Sequence, residues 1–511
     1  MKLKFGTGGL RATMAPGPDH LNTETIREAT LGVSAYANTL TANPLIAISY
    51  DSRRNSKEFA QETARVLAAS GCRACLYPKL MPTPALSFAV RFLKCDLGIA
   101  ITASHNPKEY NGYKVYGADG CQITSKAAKK IQEEIRKADL KALEDSKDYE
   151  SFLEEGRISL IGQDTQEAFL DEIQKLRTCE KLSGTLRVVY TPLNGAGADC
   201  VTEILHRIGI QDLYLVPEQK DPDGEFPTCP YPNPEEEEAL ALGIRCCKER
   251  EADLLLATDP DSDRVGVAAK KGETYERLTG NQVGVLLLDY LLKKRQEEGT
   301  LPKRPVIIKT IVTTSMIEKI ARKYGAEVIN TLTGFKYIGE QIGVLEQAGE
   351  LDRFVFGSEE SCGYLIGPYV RDKDAVGAAM LLCEMADEYK TQGKTLWDVL
   401  EELYAVYGRH ETELTTYHFE AEEAAEYMEQ LRSDMKKEYV QISSSRIIKY
   451  QDYLEGADGL PKSNVVKLWM ADGTEIVVRP SGTEPKIKIY KETEKPAFFV
   501  KDCQVSAIEK N

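Results

Sequence analysis

One order of elements occurs three times along this chain, and it restricts the fold more than any single motif does. In "LIAISYDSRRNSKEFAQETARVLAASGCRACLYP" an apolar run passes through a polar turn into an amphipathic segment capped near Ser56, then into a second apolar run. A further helical stretch and the run Leu97 to Ile101 complete the unit. "LRVVYTPLNGAGADCVTEILHRIGIQDLYLVP" repeats the order and closes with "ADLLLATDPDSDR". "PVIIKTIVTTSMIEKIARKYGAEVINT" repeats it again and closes with "RFVFGSEESCGY". Units of this kind predict three α/β domains with mixed, mostly parallel sheets covered by helices. After Arg409, "ETELTTYHFEAEEAAEYMEQL" and "NVVKLWMADGTEIVVRPSGTEPKIKIY" read as a helix, alternating strands and an Asp-Gly hairpin turn. That predicts a smaller α+β domain. The expected domains are 1–163, 164–277, 278–409 and 410–511, arranged around a central cleft. A chain of 511 residues suits this number, since single cores stop growing beyond roughly 250–300 residues.

A formal charge of −15 argues against a nucleic-acid surface, which needs basic stripes with interleaved aromatics. The acidic run Glu235 to Glu238 follows Pro234 and predicts a helix start, where carboxylates suit the positive end of the macrodipole. No apolar run is long enough to cross a bilayer, and "MKLKFGTGGLRATM" lacks the apolar core of a signal peptide. The expectation is a cytoplasmic protein with no nucleic-acid, membrane or obligate protein partner. Twelve cysteines are scattered rather than framed for disulfides, and Cys72-x-x-Cys75 has no second pair at zinc spacing, so structural thiols are expected.

In parallel sheets, ligands lie outside the carboxyl ends of strands, which gives Ser104, Asp259 and Glu359 equivalent places in the three repeats. In "DPDSDR", carboxylates at i, i+2 and i+4 let Asp259, Asp261 and Asp263 converge on a hard divalent cation. An EF-hand would require Gly where Arg264 stands and Glu where Lys270 stands. Magnesium takes few protein carboxylates and favours a phosphate oxygen besides, and Ser104 in "AITASHNPKEYNGYKVYG" is the candidate phosphorylated residue. The rival, a serine hydrolase, needs G-x-S-x-G, whereas the local sequence is Ala103-Ser104-His105-Asn106. His105, adjacent in sequence, is poorly placed as a triad base; holding the loop is its plainer role. Lys114 becomes a general base if desolvated and crowded by cations.

"RPSGTEPK" reads as a phosphate cradle, with Arg479, the hydroxyls of Ser481 and Thr483, and the open backbone of Gly482. "FGTGGLR" is similar in composition, with Thr7 as its candidate substrate contact, but G-x-G-x-x-G fails at Arg11. "GSEES" offers Glu359 and Ser361 to vicinal sugar hydroxyls. A decoy stands at Gly195 and Gly197, with Glu218 about twenty residues on, because Cys200 occupies the third glycine position of a dinucleotide fingerprint. A structural strand-to-helix turn is the reading there.

In this combination and order, "FGTGGLR", "TASHNPKEYNGYKVYG", "DPDSDR", "LTGFKYIG", "GSEES" and "RPSGTEPKIKIY" resemble the α-D-phosphohexomutase superfamily, and most of all its phosphoglucomutase branch. The resemblance implies a phosphoserine at Ser104 and Mg²⁺ held by it with Asp259, Asp261 and Asp263. It implies Arg264 as the phosphoserine contact, Arg11 and Lys114 in proton transfer, and a substrate loop of Thr333, Gly334 and Lys336. Glu359 and Ser361 would grip the sugar, and Arg479, Ser481, Gly482 and Thr483 its phosphate. The activity implied is interconversion of glucose 1-phosphate and glucose 6-phosphate through glucose 1,6-bisphosphate, with a hexose phosphate as the small-molecule partner. Mannose or pentose phosphates, a non-catalytic relative and an NAD-dependent enzyme are the alternatives. Ala12 and Ser262 depart from the glycine and alanine common in the family.

Overall fold

The structure is a computed structural model that describes residues 3–6, 8–419, 421–435, 441–442, 445–480 and 486–495. Four sheets follow one another along the chain. The first has the spatial order Gly9–Thr13, Tyr110–Gly117, Leu97–Ile101, Leu45–Tyr50, Arg73–Leu76, Ile158–Leu160. Its last four strands pair in parallel and the first two join antiparallel. The second sheet runs Thr274–Leu278, Val265–Lys271, Leu254–Thr258, Arg187–Thr191, Asp212–Leu215, and only its last three strands are parallel. In the third, Glu327–Thr331, Val306–Thr310 and Phe354–Glu359 are parallel, and Gly363–Leu365 turns back antiparallel.

The fourth sheet is antiparallel throughout, in the order Arg409–His418, Lys486–Lys495, Thr474–Pro480, Val466–Met470, Ser445–Asp452, Gln441–Ile442. The Asp472-Gly473 turn joins two of its strands, with Gly473 at φ +85° as a tight hairpin needs. The helix Ala421–Met435 accompanies the sheet.

One device recurs in the first three sheets. A strand buried along its whole length (Leu97–Ile101, Leu254–Thr258, Phe354–Glu359) runs into a polar loop and returns as an antiparallel neighbour. Continuous apolar runs form these strands because helices cover both faces. Each loop also holds one non-glycine residue in the left-handed region: Ser104 at φ +53°, Ser262 at +51° and Cys362 at +60°.

Two expected helix starts fall slightly differently. Ser56 is the first residue of the helix Ser56–Ala69 rather than its cap, and its hydroxyl bonds to Asp51 Oδ1 at 2.8 Å. The acidic run opens the helix Glu237–Arg250, while Glu235 turns aside to Arg264. The cysteines among the described residues are free thiols, and most of them are buried.

The three α/β units share one apolar core, in which Phe88, Val188, Cys200 and Leu381 belong to the same cluster. The helix Ala375–Thr391 runs through it almost wholly buried. Two carboxylates of that helix secure the connection between the first two sheets: Glu384 accepts from Thr178 N (2.9 Å) and Oγ1 (2.8 Å), and Asp387 accepts from Ser183 N (2.7 Å). The fourth unit docks through a smaller cluster around Tyr453 and Tyr490, and through Glu492, which accepts from Ser315 N and lies 2.9 Å from His410 Nδ1. Glu384→Ala leaves the Thr178 N–H without its partner in the core and removes the carboxylate that Arg177 Nε meets at 3.2 Å, and should lower stability by about 3 kcal/mol in equilibrium chemical denaturation.

Candidate active site

The loops of the first two sheets meet face to face. Ser104, buried at the end of its loop, donates from Oγ to Asp259 Oδ2 at 2.8 Å. Asp259, Asp261 and Asp263 are all buried, and each offers an oxygen within 4.8 Å of the others. The loop turns tightly because Asp259 Oδ1 accepts from the backbone N–H groups of Asp263 (3.1 Å) and Arg264 (3.0 Å). From the first domain, Thr83 adds two bonds, N to Asp261 O (2.8 Å) and Oγ1 to Asp261 Oδ2 (2.9 Å).

Gly195 and Gly197, the dinucleotide decoy, lie against this aspartate loop. A Cβ at Gly195 would come within 2.5 Å of Pro260 Cα, and one at Gly197 within 2.7 Å of Ser262 Oγ, so a strand-to-helix turn made of glycines is what lets the loop pack.

Lysines from two sides compensate the carboxylates. On the strand Tyr110–Gly117, positions i and i+2 share a face. Lys114 therefore reaches Asp261 Oδ2 (2.7 Å) and Asp263 Oδ2 (3.6 Å), while Tyr116 donates to Asp372 Oδ2 (2.8 Å) in the third domain. Lys373, beside Asp372, lies 2.9 Å from Asp263 Oδ2. Burial works against the charge of Lys114, but Asp261 and Asp263 outweigh it and raise its pKa. The cations whose crowding would make Lys114 a base are outweighed here: its nearest charges are the carboxylates of Asp261 and Asp263, which favour the ammonium. Burial likewise opposes ionisation of Asp261, and the charge and hydrogen bond of Lys114 overcome it, so this carboxyl lies far below its ordinary range. Asp259 is pushed well above its ordinary value by burial and by its two acidic neighbours.

Asp261 Oδ1 and Asp263 Oδ1 are buried without a hydrogen-bond partner, while Asp263 Oδ2 faces the Lys373 ammonium at 2.9 Å. Acceptors left open in this way beside a third carboxylate fit a hard cation, whose ligands are oxygens. The three-aspartate cluster is compatible with a metal site.

His105 Nδ1 is 3.2 Å from Ser104 Oγ. The sequence reading set His105 aside as a triad base and gave it a loop-holding role; the left-handed backbone at Ser104 accompanies this contact. Burial, followed by Arg264 and Arg11, lowers the imidazole pKa well below its ordinary value, so the ring is neutral. Arg11, on the strand paired with the Lys114 strand, donates to Asn106 Oδ1 at 3.1 Å.

A cavity of about 1200 Å³ opens over these groups. Ser104, Lys114, Asp263 and Arg264 line it from the first two domains, with Arg264 Nη1 at 3.5 Å from Glu235. The third domain contributes Thr333, Gly334, Lys336, Glu359 and Ser361, and there Gly334 N donates to Glu359 Oε1 at 3.0 Å. Arg479 lines it from the fourth, together with Lys486 and Lys488. Thr7, Ser481, Gly482 and Thr483 lie outside the described residues. The sequence reading missed Thr83 and Lys373. "RDKDAVG" follows the Gly363–Leu365 strand just as "YNGYKVYG" follows the Ser104 loop, and that parallel was the available signal for Lys373.

Three family profiles match consecutive parts of the chain: phosphoglucomutase/phosphomannomutase alpha/beta/alpha domain I at residues 2–142, domain II at 167–272 and domain III at 279–407. A phosphoglucomutase of Staphylococcus saprophyticus is 34% identical over 501 residues, covering 96% of this chain and 90% of the relative. The chain belongs to the phosphoglucomutase/phosphomannomutase family. Another family member, a phosphoglucomutase of Staphylococcus aureus, is 38% identical over 518 residues, covering 97% of this chain and 90% of its own. In fold, a crystal structure from Thermus thermophilus superposes with a TM-score of 0.74 at 23% identity, covering 98% of this chain and 96% of that one. Among the described residues no helix is long and apolar enough to cross a membrane.

Asp374 caps the helix behind Lys373, accepting from Val376 N, Gly377 N and Tyr369 Oη. Burial raises its carboxyl from 3.8 to about 6 despite those bonds. Between these values the folded protein holds a proton that the unfolded chain releases, so this contribution to stability is full below about pH 4 and is lost as pH rises through about 6. Asp374→Asn should remove that slope from the pH dependence of the denaturation midpoint.

Proposed function

We propose that the protein interconverts glucose 1-phosphate and glucose 6-phosphate, with Ser104 as the phosphoryl carrier and glucose 1,6-bisphosphate as the intermediate. The observation that carries this reading is the 2.8 Å contact of Ser104 Oγ with the edge of a buried three-aspartate cluster, under a cavity to which four domains contribute. A serine hydrolase would place a histidine oriented by a carboxylate between that carboxylate and the serine; here Asp259 meets Ser104 Oγ directly, beside His105 Nδ1.

Asp259, Asp261 and Asp263, with an oxygen on Ser104, would hold Mg²⁺, which supplies charge neutralisation for a phosphoryl group in transit. The phosphoserine Oγ–P bond breaks as a P–O bond forms to the free hydroxyl of the sugar monophosphate. That hydroxyl loses a proton and Ser104 regains one. His105 Nδ1, neutral and 3.2 Å from Oγ, is positioned to hold the proton at the serine, while the Lys114 ammonium and Arg11 face the transferring group from the cleft wall. The bisphosphate then turns end for end and its other phosphoryl returns to Ser104. Arg264 is proposed as the phosphoserine contact. Thr333, Gly334, Lys336, Glu359 and Ser361 are proposed for the sugar, with Thr7 as a further substrate contact. Arg479, Ser481, Gly482 and Thr483 are proposed for the distal phosphate. The domain boundaries proposed are those at 163, 277 and 409.

The test is conversion of glucose 1-phosphate in the presence of Mg²⁺ and a trace of glucose 1,6-bisphosphate. Turnover should be present in the wild type, absent in Ser104→Ala and absent after chelation with EDTA, while turnover that survives in Ser104→Ala would sink the carrier role. Asp263→Asn should weaken Mg²⁺ binding in calorimetric titration by at least about tenfold, because one of three carboxylate ligands loses its charge.

A further inference from the structure

We propose that Arg53 is the positioning residue that holds Ser104 against the aspartate loop, and that a segment of the second domain clamps it in place. This rests on the reading of Ser104 as the phosphoryl carrier. Arg53 follows the strand Leu45–Tyr50, is buried and is not part of the cleft wall, so it acts through the loop rather than on substrate.

A guanidinium carries five N–H donors in a planar fork. In Arg53, Nη2 donates to the carbonyl oxygens of Ser104 and Asn106, both at 2.5 Å, and Nη1 to those of Pro107 (2.9 Å) and Tyr110 (3.0 Å). Nε, the fifth, lies 3.4 Å from Asp51 Oδ2. Four of the five donors thus go to carbonyls of one short loop. Asp51 is itself fixed by the Arg53 backbone N–H (2.9 Å) and Ser56 Oγ (2.8 Å).

The loop needs such a hold because of Ser104 itself. A left-handed φ of +53° is strained for a non-glycine residue and persists only where its surroundings over-determine it. Here both peptide groups flanking Ser104 are pinned: its N–H donates to Thr102 Oγ1 (2.8 Å) and its carbonyl accepts from Arg53. Release of that carbonyl frees the backbone that aims Oγ at Asp259.

From the far side, the Phe226 ring of the second domain stands 5.3 Å from the Arg53 guanidinium carbon. Two residues earlier, Gly224 lies so close to the Arg53 backbone that an added Cβ would be 2.5 Å from Arg54 N and 2.8 Å from Ser52 O. Further along the same segment, Pro230 O accepts from Lys108 N at 3.1 Å, inside the Ser104 loop. Arg53 therefore ties the serine loop of one domain to the chain of the domain that carries the aspartates. Lysine cannot replace it, since an ammonium donates from one point and carries no planar fork.

The experiment compares wild type, Arg53→Lys, Gly224→Ala and the control Lys57→Gln, an exposed position on the helix Ser56–Ala69. Steady-state kinetics on glucose 1-phosphate, denaturation midpoints and hydrogen exchange over residues 102–112 are measured on each. In Arg53→Lys, kcat should fall by about 10- to 100-fold, as a misplacement of about 1 Å costs. KM should stay within about twofold, the fold should be retained, and exchange over the loop should speed up. Gly224→Ala should lower kcat in the same direction, and Lys57→Gln should leave it unchanged. Wild-type kcat in Arg53→Lys, or a loss that only tracks the unfolded fraction, would overturn the proposal. A wild type inactive on this substrate would contradict the mutase reading instead, and the exchange comparison would then decide whether Arg53 holds the loop.

Discussion

Three carboxylates buried within 4.8 Å of one another form the constraint to which the surrounding structure answers. At an effective dielectric constant of 20, each pair at that separation repels by about 3 kcal/mol, which the loop alone could not withstand. An ammonium at 2.7–2.9 Å returns about 6 kcal/mol on the same scale, so Lys114 and Lys373 more than offset the repulsion between the aspartates they touch. With Arg264 Nε 3.9 Å from Asp263 Oδ1 as a third cation, the cluster is near balance until a phosphoryl group on Ser104 adds about −1.5 to −2. A divalent cation restores the balance. Because the lysines come from the first and third domains and the aspartates from the second, charge compensation also sets how the three domains meet.

The shape of the cleft follows the same logic. On the proposed reading, one serine carrier and one distal phosphate site serve both halves of the reaction only if the intermediate can turn over between them. A cavity of about 1200 Å³ exceeds the roughly 300–1,000 Å³ usual for small-ligand sites and leaves room for that turn. The first three domains share an apolar core, whereas the fourth is held by a small cluster and the Glu492 contacts.

Much of this was legible in the sequence, because it is written in local pattern. The three buried strands show as continuous apolar runs, and the Asp472-Gly473 hairpin shows as a turn dipeptide between alternating segments. The aspartate triplet shows in its own spacing. What was hidden depends on partners distant in the chain. Lys373 is an ordinary lysine until the fold brings it to Asp263, 110 residues away, and the "DSRR" turn gives no sign that Arg53 will bind four carbonyls beyond residue 103. The protonation of Lys114 is hidden for the same reason: it depends on Asp261 and Asp263, which its sequence neighbours do not reveal. The His105 contact depends on the left-handed backbone at Ser104, a conformation that nothing in Ala-Ser-His-Asn announces.

The central claim is that Ser104 carries the phosphoryl group, and phosphopeptide mapping tests it most directly. The protein is charged with glucose 1,6-bisphosphate labelled in its phosphates and Mg²⁺, freed of ligand, digested and mapped by mass spectrometry before and after a chase with unlabelled glucose 1-phosphate. The account predicts label on Ser104 alone, discharged to the sugar within the time of a single turnover. Label on another residue, or phosphate on Ser104 that the sugar cannot remove, would contradict it.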